Sequence, residues 1–87
     1  DPEAPASDPQ IALIRRKVAD LDDASLKALA PEIAALFGAA TVEVKRLRAA
    51  TTWTELRDRD DPAKRLTKGR ASDLITLLDR EERRAAA

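Results

Sequence analysis

Cysteine and histidine are missing from this sequence, and so are methionine and tyrosine. Without cysteine, no disulfide or thiolate metal site can staple the chain. Without histidine, the commonest metal ligand and the usual acid–base group at neutral pH are gone. Two glycines are too few for a glycine-rich phosphate loop, and Phe37 and Trp53 are the only aromatic residues. The core must therefore be built from Leu, Ile, Val and Ala. No apolar run reaches the length of a membrane span, and no signal peptide is visible. A cytoplasmic location without membrane contact is the expectation. The sequence opens on Asp1 rather than Met, so a larger parent protein or a processed precursor is expected, and the Ala/Arg/Asp-rich composition points to a bacterial source.

An excess of either charge is absent too. Lys and Arg number 16, and Asp and Glu number 16. The distribution is uneven, because residues 43–70 are basic while both flanks are acidic. A two-signed surface favours partners of either charge over a pure polyanion. The 87 residues leave room for one domain with a thin stability margin.

The chain reads as helices throughout, an all-α compact bundle of five or six short helices. DPEAPASDPQ is linker-like, so residues 1–7 are expected to be a disordered head. Asp8-Pro9 looks like a helix start with Asp8 as cap, and Ile11, Ile14, Val18 and Leu21 form its stripe. Arg15, Arg16 and Lys17 lie largely off that stripe as a solvated face. Leu26, Leu29, Ile33, Leu36 and Phe37 make a second stripe, capped by Asp22 or Asp23 and ended by Gly38. Pro31 interrupts it and is expected to split it into 23–30 and 31–37. Thr41 can cap a helix over roughly 41–50 that turns Val44 and Leu47 inward. Thr52 and Glu55 have capping-box spacing, Asp61-Pro62 repeats the Asp-Pro start, and Ala71, Leu74, Ile75 and Leu78 mark the last buried face. The domain is expected to span 8–84, with 85–87 as a frayed tail. Trp53 is expected in the core, its indole N–H reaching a backbone carbonyl, with an exposed anchor for a partner as the alternative.

Catalysis needs converging polar groups of tuned pKa. The carboxylate runs at 22–23, 58–61 and 79–82 are interleaved with Arg or sit at helix ends, where caps and ion pairs account for them. No enzyme activity, metal site, cofactor or small-molecule substrate is expected.

Two binding readings remain. EIAALFGAATVEVKRL (residues 32–47) resembles a helix-turn-helix: Ala34 allows close approach, Gly38 takes the turn, and Ala39, Val44 and Leu47 seat the second helix. That resemblance implies DNA binding, with Ala40, Thr41, Lys45 and Arg46 facing the major groove. Against it stand Val42 on the groove side, Glu43 beside phosphates, and a neutral domain where a basic one is usual. KGRASDLITLLDREERR carries Lys68, Asp73, Leu74, Ile75, Leu78, Arg80 and Arg83 in a pattern that resembles the last helix of bacterial effector-associated and death-domain-like modules. That resemblance implies a non-catalytic adaptor pairing with an identical or cognate helical domain. A basic face (Lys45, Arg46, Arg48, Lys64, Arg65) would then meet an acidic one (Asp20, Asp22, Asp23, Asp79, Glu81, Glu82). This adaptor reading is preferred, with the DNA binder as alternative.

Overall fold

The computed structural model describes all 87 residues and contains five helices and no strand. Helix α1 (Asp8–Asp20) opens on a reciprocal cap. Gln10 N–H donates to Ser7 Oγ at 3.2 Å, and Ser7 N–H donates to Gln10 Oε1 at 3.0 Å. The cap is therefore Ser7 and not Asp8, because the Ser–x–x–Gln spacing satisfies two helix-start donors at once. Helix α2 (Asp23–Ala35) opens on Asp22 and runs through Pro31 without the expected split. Pro31 and Lys27 are both exposed, so the Lys27 carbonyl that loses its N–H partner lies on the solvent side. A break there would instead disrupt Leu26, Leu29 and Ile33, buried on the opposite face.

Gly38 takes a left-handed φ of 76° after α2, as its position implied. Residues 36–43 then form a long connection, and helix α3 covers only Val44–Arg48 rather than 41–50. Thr41 caps nothing. Helix α4 (Thr52–Arg57) has Thr51 at the cap position, so the Thr52–Glu55 box does not form. The buried Thr52 hydroxyl donates to the Arg46 carbonyl instead, tying α4 to α3. Asp61-Pro62 starts a turn and no helix: the Ala63 N–H donates to Asp61 Oδ1 at 3.0 Å and the Lys64 N–H to the Asp61 carbonyl at 3.0 Å. No apolar stripe follows that would reward a helix there. Helix α5 (Lys68–Ala86) begins at the Thr67 cap and continues to Ala86.

The head is not a linker. Pro5 and Thr67 form an isolated antiparallel bridge, and the Ala6 N–H donates to the Leu66 carbonyl at 3.1 Å. Lys68 and Gly69 N–H groups donate to the Ala4 and Pro2 carbonyls, each at 2.8 Å. Head carbonyls thus satisfy donors that the first turn of α5 leaves unpaired. Gly69 permits the approach, since a Cβ there would sit 3.2 Å from the Pro2 oxygen. Ala6 is buried in the core.

One cluster holds the fold together. Helices α1 and α5 form its main packed pair, α2 lies against α5, and α3 and α4 close the side formed by α1. Ile14, Leu26, Leu66, Leu74 and Leu78 are completely buried. The molecule measures 37 × 24 × 20 Å.

Candidate functional site

Four of the six residues of the acidic face have partners within the molecule. Asp22 caps α2, accepting from the Ser25 N–H at 2.8 Å, and that hydrogen bond lowers its carboxyl pKa below the ordinary value. Asp23 pairs with Arg48 at 2.9 Å, and Asp79 pairs with Lys17. Glu81 is buried and held by two-pronged hydrogen bonding from Arg84, which lowers its pKa against the opposing effect of burial. The reason is register: 71, 74, 78 and 81 fall on one stripe of α5, so Glu81 continues the core face. Only Asp20 and Glu82 of the six are exposed without a hydrogen-bonded or ionic partner.

The basic face divides as well. Arg48 donates to the Val18 and Leu21 carbonyls at 3.1 and 2.6 Å, closing the C-terminus of α1. Arg65 donates to the Arg59 and Asp60 carbonyls at 2.8 and 3.0 Å and braces its own loop. Lys45, Arg46 and Lys64 remain exposed and unpaired, the first two on α3 and the third in the 62–64 turn. Of the four residues expected to face DNA, Ala40 and Thr41 lie in the extended connection and only Lys45 and Arg46 are helical. Val42 is half-buried against the core rather than turned outward.

Two hollows flank α3, and both have Leu47 and Trp53 in their walls. The larger is an open groove of about 500 Å³ between α1 and the α3–α4 corner. Its apolar floor is formed by the exposed Ala19, Ala49 and Ala50 above the buried Val18, Leu47 and Trp53, and Arg15, Arg16 and Arg48 line its edges. No acid lines it. Arg15 and Arg16 are exposed and make no ion pair, so their charge is uncompensated, whereas Arg48 arrives already paired with Asp23. The smaller cleft, about 200 Å³, lies beneath the 36–43 connection, where Phe37, Val42 and Leu56 meet Arg46 and Arg59.

Trp53 is a core residue, 1% exposed. Its indole N–H finds no carbonyl and is the one buried side-chain polar atom without a hydrogen-bond partner. Such a group is costly to leave unmade. No three acidic side chains come together in a way that could hold a metal ion.

Arg15 and Arg16 are the residues that sequence reasoning passed over as solvated. Their exposure was legible from the stripe of α1. The apolar partner surface at 47–53 was not, because it comes from a helix some thirty positions away. No protein-family model matches the chain, and no curated protein or solved structure matches it.

Proposed function

We propose that this chain is a non-catalytic interaction domain that docks a cognate helical domain of another protein. The observation that carries the reading is the uncompensated positive charge of Arg15 and Arg16 beside an apolar groove with no lining acid. Lys45 and Arg46 on α3 extend the same sign. Charge of this kind steers encounter and selects partners, while the apolar floor supplies affinity. Pairing with an identical copy loses support, because Asp22, Asp23, Asp79 and Glu81 are engaged within their own molecule. Major-groove reading has less helix to work with than the sequence suggested, since α3 is five residues long.

Site-specific photo-crosslinking in the full-length protein tests this reading. Benzoylphenylalanine replaces Lys45, or Asp73 on α5 as a second position. A discrete protein adduct whose crosslinked peptide maps to an acidic helix supports docking. Adducts to nucleic acid alone, or none from either position, count against it.

A further inference from the structure

We infer that the α1–α3 groove is the docking site itself, and that its occupant is an acidic amphipathic segment of a different protein, inserting a large apolar side chain. The inference rests on the interaction-domain reading and adds the site and the chemistry of the partner.

Charge complementarity sets the first requirement. Arg15, Arg16 and Arg48 line the groove and no carboxylate does. Arg48 carries its counter-charge in Asp23, so the attraction for an incoming carboxylate comes from Arg15 and Arg16. Asp20, the acid nearest to them along α1, is not among the lining residues. Basic or neutral segments gain nothing from such walls.

The floor sets the second. Exposed Ala19, Ala49 and Ala50 supply its accessible apolar lining over the buried Val18, Leu47 and Trp53, and a groove of about 500 Å³ has room for more than one aliphatic side chain. In helix-in-groove recognition an amphipathic helix lays its apolar face into a groove of the partner.

A second copy cannot meet both requirements. No large hydrophobic side chain is exposed anywhere on this chain, so an identical molecule has no anchor to insert. These 87 residues therefore supply no occupant for a second copy's groove.

Trp53 is the only tryptophan and lines the groove, so its indole N–H resonance and its fluorescence report on occupancy without a label. The probes are an amphipathic Glu/Leu peptide, the Gln/Leu, Glu/Ala and Lys/Leu versions of the same length, and a random duplex DNA. The Glu/Leu peptide is expected to move the Trp53 indole resonance and those of Leu47 and Ala49. Both the Gln/Leu and Glu/Ala versions should bind at least roughly tenfold more weakly, a factor worth about 1.4 kcal/mol. Arg15→Glu/Arg16→Glu should weaken the Glu/Leu peptide by a similar factor or more. Lys64→Glu, on a separate turn, should not. Neither arginine side chain makes a hydrogen bond or ion pair within the protein, so the double variant keeps its fold, which an unchanged thermal midpoint verifies. Equal binding by the Lys/Leu peptide or DNA at the same resonances overturns the charge argument. Binding that leaves Trp53 unmoved, or no binding by the Glu/Leu peptide, overturns the groove assignment. If protein crosslinks from Lys45 or Asp73 persist in either of those two cases, the interaction-domain reading stands without this site; if they too are absent, both fail.

Discussion

Arg48 Nη2 donates to the Leu21 carbonyl oxygen at 2.6 Å, across 27 residues of sequence. The same guanidinium reaches the Val18 carbonyl and the Asp23 carboxylate. One side chain of α3 thus closes the end of α1 and faces the beginning of α2. The positive head group also complements the negative end of the α1 dipole.

Arg48→Ala should therefore destabilise the fold by about 2 kcal/mol, as expected for hydrogen bonds from a charged donor. Arg48→Lys should recover only part of that, because an ammonium cannot reproduce the planar fork. Urea unfolding of the three proteins checks both statements.

Removal of residues 1–6 should cost about 2–4 kcal/mol, since it deletes three backbone hydrogen bonds and the burial of Ala6. A linker-like head would cost nothing. Hydrogen exchange supplies a local check: the Lys68 and Gly69 amides, protected by the Ala4 and Pro2 carbonyls, should exchange freely in the truncated protein.

Pro31→Ala should stabilise the protein by about 2 kcal/mol. Restoring an N–H to the interior of α2 removes a penalty of about 3 kcal/mol. The looser unfolded chain offsets about 0.4–1 kcal/mol of the gain. A thermal midpoint that falls in the variant would show that the proline shapes the packing of α2.

Acid should weaken the fold through Asp22 and Glu81. Both carboxyls titrate lower in the folded protein than their ordinary values of 3.8 and 4.5, Asp22 through the Ser25 N–H and Glu81 through Arg84. In this range the unfolded chain binds more protons, so stability rises with pH. The contribution is fully present above the ordinary values and disappears as pH falls through the lowered ones. Urea midpoints measured from neutral pH downward should hold steady and then drop below about pH 4.5. The Glu81→Gln protein should be less stable at neutral pH, with a shallower acid limb.

The sequence alone carried the helical class, the stripe of α1, most of the stripe of α5, the left-handed Gly38 that follows α2 and the burial of Trp53. These are local matters, decided by a period of 3.6 residues, a left-handed glycine and the scarcity of other large side chains. Caps were harder to place than helices, because Ser7 and Asp8, or Thr51 and Thr52, are equally good on paper. Only the course of the neighbouring chain chooses between them: Thr52 gives up capping because the Arg46 carbonyl lies within reach of its hydroxyl.

Which charges are free to meet a partner was decided entirely by tertiary structure. Asp79 looked as available as Glu82 in the sequence, yet Lys17 of α1 holds it 62 positions away. Arg15 and Arg16 looked like ordinary solvated residues until α3 and α4 brought Leu47 and Trp53 beside them. Pairing between distant charges depends on how helices are laid against one another, and apolar burial sets that arrangement without regard to which ions it brings together or leaves apart.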